Sequence, residues 1–309
     1  MKRRKRRGPA WLQPGAVFRR CISPLKICAY SQGLRAVNSG TTDLPVFKLL
    51  AGEGPLIIGH RGYCAVAPEN TLPSFKLALE AKADLVELDY QHSKDGVPLV
   101  IHDDTLDRTT DARRRWKRRR IRVADRTAAE IQDLDAGSWF DAKFAGARVP
   151  LLTEALELIC AGGNVALIEQ KSGDAATLVR LLRERELINR VVLISFDWEF
   201  LRRFNKLEPG QVLGALGPPA RLADGRKPAR LSRQPVTRRL DELDATGASL
   251  VVWNRRISNA EIRAAGQHRL KVWVYTINSA GPARRVLEAG AQGIITNKVV
   301  AIQAALARK

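Results

Sequence analysis

The stretch Asp84-Leu85-Val86-Glu87-Leu88-Asp89-Tyr90-Gln91-His92-Ser93-Lys94-Asp95-Gly96-Val97-Pro98-Leu99-Val100-Ile101-His102 decides how the rest of the chain is read. Two runs of strand character, 84–91 and 97–102, are separated only by His92-Ser93-Lys94-Asp95-Gly96. A parallel crossover needs about a dozen residues or more, so the two runs form a hairpin, and Asp95-Gly96 is a favoured hairpin-turn dipeptide. Outward from this segment, strand candidates fall at 56–60, 164–169, 190–195, 211–216, 249–253, 271–277 and 293–296. Helix candidates fall at 71–82, 153–162, 174–187, 198–205, 236–246, 258–268, 279–289 and 298–308. With 97–102 set aside as an antiparallel excursion at the rim, eight βα units remain, the count of an α/β (β/α)8 TIM barrel.

Such a barrel takes about 250 residues, and the chain has 309. The spacing therefore predicts a basic, disordered tail over 1–50 and a barrel over 51–309. A doubly wound open sheet would carry a Gly-rich phosphate turn after its first strand; strand 56–60 is followed instead by Arg61-Gly62-Tyr63-Cys64-Ala65. Residues 218–235, rich in Pro, Arg and Gly, read as a loop on the rim.

Strand period two puts Glu87 and Asp89 on one face, among the apolar Leu85, Val86 and Leu88. Two carboxylates in such surroundings repel and are desolvated, so they need a cation. Ile168-Glu169-Gln170-Lys171 repeats the device, with Glu169 and Lys171 on one face. Three carboxylates from two strands make a hard oxygen site suited to one divalent cation, Mg²⁺ or Ca²⁺. Of four histidines, His60 and His102 close apolar strand runs, where barrel side chains enter the active site. Arg61, beside His60, suits a phosphate clamp, and Lys171 offers a second positive charge. Metal and cations to neutralise phosphate, with one imidazole to activate a nucleophile and one to protonate a leaving alkoxide, are what phosphodiester cleavage requires.

The formal net charge of +20 first suggests nucleic acid or an anionic membrane. Its distribution is uneven. Residues 1–40 hold ten Lys or Arg and no acid, and residues 111–126 hold nine against Asp111 and Asp125, so the remaining body is close to neutral. The run 113–122 contains seven Arg, one Lys and a single aromatic, Trp116; it lacks the stacking platform of a single-strand nucleic-acid binder. We expect it to be a self-repelling solvated loop that packs into no core, on the same rim as His102 and open to an anionic membrane surface. Pro9, Gln13, Pro14 and Gly15 interrupt any secretory apolar run. The four cysteines, Cys21, Cys28, Cys64 and Cys160, show no zinc spacing. Reduced thiols suit a cytoplasmic protein, peripheral at most to a membrane.

The order His60-Arg61-Gly62, Pro68-Glu69-Asn70-Thr71, Phe75, Asp84 to Asp89, Lys94-Asp95-Gly96-Val97-Pro98, His102-Asp103 and Leu106-Asp107-Arg108-Thr109-Thr110 resembles the signature of the glycerophosphodiester phosphodiesterase family. Pro150-Leu151-Leu152, Ile168 to Lys171, Ser195-Phe196, Trp273 to Asn278 and Gly293 to Thr296 extend the resemblance from about residue 55 to the C-terminus. It implies hydrolysis of glycerophosphodiesters to glycerol 3-phosphate and an alcohol; the alternatives are a membrane-acting lysophospholipase D and a non-catalytic polyanion-binding barrel. Carried over by position, Glu87, Asp89 and Glu169 match metal ligands, His60 and His102 the catalytic acid/base pair, and Arg61 the phosphate contact. Glu69, Asn70 and Lys171 match positions around the substrate. The resemblance to other TIM-barrel phosphodiesterases suggests a substrate hydroxyl as first attacker, through a cyclic phosphate. The basic run replaces a short Gly-rich turn. The usual Thr-Asp-Arg-Pro-like ending is replaced by Thr296-Asn297-Lys298-Val299, which we expect to alter only the last βα loop.

Overall fold

The structure, a computed structural model, describes residues 44–52, 54–228 and 239–307. Nine strands are present among them: β1 (Leu56–Gly59), β2 (Leu85–His92), β3 (Pro98–Val100), β4 (Val165–Gln170), β5 (Val191–Ser195), β6 (Leu213–Gly217), β7 (Leu250–Asn254), β8 (Lys271–Tyr275) and β9 (Gly293–Thr296). Every strand except β3 pairs in parallel, in the order β1-β9-β8-β7-β6-β5-β4-β2, and β1 pairs with β2 to close the cylinder. β3 runs antiparallel to β2 through Tyr90↔Val100, Gln91↔Leu99 and His92↔Pro98. The 84–102 segment is thus a hairpin on the edge of a TIM barrel, as its short connection requires. Gly96, at φ +77°, supplies the left-handed turn residue, and its N–H donates to Ser93 O at 3.0 Å.

Period two sorts each strand into two cores. On β2, Val86, Leu88 and Tyr90 face the outer layer under the helices, while Leu85 faces the barrel interior. On β4, Ala166 and Ile168 face out, and Val165 and Leu167 face in. The interior cluster also holds Leu56, Ile58, Val192, Ile194, Val252, Trp273 and Ile295. Interior residues nearer the strand starts are therefore apolar, and the parity continues along β2 and β4 to Glu87, Asp89 and Glu169. Apolar helix faces cover the outside. Their starts are set by side-chain caps such as Thr71, Asp174, Asp197 and Ser258, each accepting from a backbone N–H in the first turn.

The described residues depart from the expected boundaries in two places. Helix Pro45–Ala51 lies on the tail side of residue 51, yet Val46 and Leu50 are buried in the interior cluster with Leu56 and Leu85. This heptapeptide belongs to the barrel, because the barrel interior leaves apolar surface that two side chains, worth about 2 kcal/mol each, can cover. Residues 1–43, and 229–238 within the expected rim loop, lie outside the described residues; of the 236–246 helix, Leu240–Asp244 is described.

The second departure is the basic run. It is not a featureless loop: Ala112–Trp116 is helical, Ile121 is buried, and Trp116 packs on a third cluster formed by Leu106, Ile131 and Leu134. Acidic anchors explain why so charged a segment folds. Asp107 accepts from Arg120 N and Ile121 N at 2.7 and 2.9 Å, Asp111 pairs with Arg114, and Asp133 pairs with Arg115. The Arg126 guanidinium lies 4.3 Å over the Trp116 ring.

Candidate active site

The βα turn after β1 starts the site. Arg61 and Gly62 both have positive φ, +51° and +84°, so consecutive N–H groups turn back to β2. Arg61 N donates to Glu87 Oε2 at 2.6 Å and Gly62 N to Glu87 O at 3.1 Å. A Cβ on Gly62 would lie 2.3 Å from Ser74 Oγ, so glycine is required there.

Glu87, Asp89 and Glu169 converge, with one carboxylate oxygen of each within 4.8 Å of the others, and all three are buried. Sequence spacing anticipates the pair on β2. The cross-strand register Asp89↔Glu169 supplies the third. Two cations face them. Lys171 Nζ lies 2.5 Å from Glu169 Oε1 and 3.3 Å from Asp89 Oδ1, and Arg61 Nε lies 3.3 Å from Asp89 Oδ2. Lys171 is thus shared between two carboxylates, and Asp89 Oδ1 has only its longer contact. Three carboxylates face two cations in a buried site. Burial first, and repulsion from Asp89 and Glu169 next, push the Glu87 carboxyl well above its ordinary value. Burial and Asp89 push Glu169 up to about 7 despite the contact with Lys171, because Lys171 is shared with Asp89. Burial acts on Asp89 too, but Lys171 and Arg61 outweigh it and hold that carboxyl below the usual range.

Glu69 and Asn70 are both engaged with protein groups. Asn70 donates to Asp89 Oδ2 at 2.8 Å and accepts from Asp89 N at 3.2 Å. Glu69 accepts from Arg61 Nη1 at 2.6 Å and from Arg108 at 2.7 and 2.8 Å.

His60 follows β1 with interior parity, and its neighbour across the β1–β9 ladder is Asn297, one step beyond Gly59↔Thr296. Their side chains meet: His60 Nδ1 lies 2.6 Å from Asn297 Oδ1. The departure at Asn297 is therefore not confined to the last loop; it sets the partner of His60. Burial, with the Arg61 charge second, lowers the His60 imidazole to about 4. The neutral ring donates its Nδ1–H to the amide oxygen and leaves Nε2 as an acceptor.

His102 lies just past β3. Its Nδ1 is 2.7 Å from Asp103 Oδ1, and Arg108 donates to both Asp103 oxygens, at 2.7 and 2.9 Å. The Arg108 hydrogen bonds hold the Asp103 carboxyl well below the carboxylate range, against a burial cost. Gln91 Nε2 donates to the carbonyls of Ile101, His102 and Asp103 at 3.2, 3.0 and 2.7 Å, pinning the segment. Sequence reading missed Gln91, Asp103, Arg108 and Asn297 as site residues. Gln91 shares the period-two face of Glu87 and Asp89, and Asp103 and Arg108 stand in the quoted motif, so a signal existed for three of them. Cys64 in the same loop region is no thiolate nucleophile, since burial pushes its thiol up to about 12.

The chain is similar in sequence and fold to known proteins. A model of the glycerophosphoryl diester phosphodiesterase family matches residues 60–301. A glycerophosphodiester phosphodiesterase of Caldanaerobacter subterraneus is 33% identical over 248 residues, 78% of this chain and 93% of that protein. One of Bacillus subtilis is 30% identical over 269 residues, 81% of this chain and 86% of its own length. The solved structure of an Oleispira antarctica phosphodiesterase in complex with the product sn-glycerol-3-phosphate superposes with a TM-score of 0.69 at 27% identity, covering 82% of this chain and 97% of that one.

Proposed function

This chain belongs to the glycerophosphoryl diester phosphodiesterase family, and from that premise we propose that it hydrolyses glycerophosphodiesters to glycerol 3-phosphate and an alcohol with one bound divalent cation. The observation that carries the reading is the convergence of Glu87, Asp89 and Glu169 beside Arg61 and Lys171. Their fit to a metal rests on chemistry: an all-oxygen donor set from three converging buried carboxylates that share the two cations Arg61 and Lys171. Glu87, Asp89 and Glu169 would hold Mg²⁺ or Ca²⁺, which when bound polarises phosphoryl oxygens and offsets developing charge. Arg61 and Lys171 add positive charge for the phosphate.

In this reading His60 is the general base. Its Nε2 takes the proton from the attacking oxygen as the new P–O bond forms, either water directly or the neighbouring glycerol hydroxyl, whose cyclic phosphate a water then opens to glycerol 3-phosphate. His102, with the Asp103 carboxylate behind its Nδ1–H, is the general acid. It gives a proton to the alcohol oxygen as the old P–O bond breaks. Glycerophosphocholine, glycerophosphoethanolamine and a lysophospholipid, each assayed for glycerol 3-phosphate or its lysophosphatidate counterpart, test the substrate class. Assays repeated with Mg²⁺, Ca²⁺, Mn²⁺ and excess chelator test the metal. Full turnover in chelator removes the metal, and no turnover of any diester with any cation removes the reading. Diesters lacking the neighbouring glycerol hydroxyl test who attacks first: equal cleavage excludes a cyclic phosphate.

A further inference from the structure

We propose that the surface built from Arg113–Arg122 and the neighbouring Trp139–Phe144 segment docks the catalytic rim onto an anionic phospholipid bilayer. Three observations carry this. The first is uncompensated charge on a built platform. Within the run only Arg114 and Arg115 have ion-pair partners; Arg113, Lys117, Arg118, Arg119, Arg120 and Arg122 have none among the described residues, and all six are exposed. The backbone beneath them is fixed by buried Ile121, by Asp107, and by a bridge between Thr105 and Arg122. Lys117 and Arg120 are held at φ +51° and +53°, a conformation that disfavours side chains with a Cβ. Arg113, Arg114, Lys117, Arg118 and Arg119 line one open basin of about 480 Å³.

The second observation is an apolar element beside that charge. Asp111 at the start of the basic helix and Asp135 exchange backbone and side-chain hydrogen bonds, and Trp139 follows four residues later. Its indole is 40% exposed, one of the few large apolar side chains so exposed among the described residues. It stacks edge-on to Phe140, which does the same to Phe144, and Lys143 Nζ lies 5.0 Å over the Phe144 ring. Tryptophan beside basic residues is the composition of an interfacial membrane contact. A single-stranded RNA site would instead interleave aromatics among the arginines, and here the only aromatic of the run, Trp116, is covered by Arg126.

The third observation is position. Val123 N donates to Asp104 O at 3.0 Å, and Arg108, on the strap into the platform, bonds Asp103 and Glu69. The platform thus leaves the barrel within a few residues of His102. The choice of bilayer over other polyanions rests partly on the proposed diester chemistry, but the test does not read turnover of that chemistry.

The experiment is sedimentation of the full chain with vesicles of equimolar phosphatidylcholine and phosphatidylglycerol, and with pure phosphatidylcholine vesicles. One variant carries Arg113, Lys117, Arg118, Arg119, Arg120 and Arg122 all changed to Gln; a second is Trp139→Ala. The N-terminal basic residues remain in every protein as a common background. Each basic residue near an anionic surface strengthens partition up to about fivefold, so the six-site variant is expected to lose well over tenfold on anionic vesicles. Trp139→Ala is expected to lose a few fold, and neutral vesicles to bind every form weakly. Equal partition of wild type and six-site variant overturns the proposal. If the six-site variant loses binding to a homopolymer RNA but not to vesicles, or if Trp139→Ala leaves vesicle partition unmoved, the partner is not a bilayer. Unchanged circular dichroism excludes unfolding as the cause of any loss.

Discussion

Replacing Glu169 by Gln is expected to stabilise the metal-free protein above neutral pH while removing its response to divalent cations. Burial first and Asp89 second raise the Glu169 carboxyl from 4.5 to about 7, a change of about 3 kcal/mol. In the unfolded chain this group releases its proton near its ordinary value, and in the folded chain only near 7. The folded state therefore binds more protons in that window. The associated stability is fully present below pH 4.5 and is lost as pH rises through about 7. Gln never ionises, so Glu169→Gln escapes the loss, and Lys171 keeps Asp89 Oδ1 at 3.3 Å. Above neutral pH in chelator the variant should melt higher by on the order of 5–10 °C, with the gap closing as pH falls from about 7 towards 4.5. A divalent cation at about a hundred times its Kd should stabilise wild type by about 2.7 kcal/mol and the variant far less. Scanning calorimetry of both proteins across pH, with chelator and then with Mg²⁺ or Ca²⁺, reads both effects. A variant that melts below wild type in alkaline chelator, or an equal cation shift in the two proteins, would refute the reasoning.

The other expectations concern the imidazoles and their partners. His60→Ala and His102→Ala should each lower kcat by about 10² or more with circular dichroism unchanged; near-normal turnover in either folded variant removes that ring from the mechanism. Asn297→Asp puts a carboxylate against His60 Nδ1, 2.6 Å away in the wild type, and stabilises the imidazolium. The imidazole should rise from about 4, and the acid limb of kcat/KM should move up by about one pH unit or more, whereas an unmoved profile excludes His60 as the titrating base. Arg108→Ala frees Asp103 and Glu69 together. Because Arg108 is about half exposed its stability cost should stay within about 1 kcal/mol, while kcat/KM measured in steady state falls at least tenfold; an unchanged kcat/KM would mean that Asp103 and Glu69 hold their places without it.

Local pattern alone determined the barrel and half of its site. Eight βα units follow from periodicity and from one connection too short for a crossover, because chain reach and the strand period are local properties. The candidate carboxylates Glu87, Asp89 and Glu169 follow from the same period, and strand ends add His60, Arg61 and His102, which the motif order repeats. Three features were decided by tertiary structure. Pro45–Ala51 joins the fold because the barrel interior presents apolar surface to Val46 and Leu50, a complement no local pattern encodes. The basic run folds because Asp107 and Asp133 reach it from outside, with Asp111 pairing Arg114 at its start. Asn297 meets His60 across 237 residues of chain through ladder register and closure of the barrel. Spacing along a strand fixes which face a side chain takes, but only closure brings the ends of the first and last strands side by side, so the Asn297 partner that holds Nδ1 of His60 becomes visible only in three dimensions.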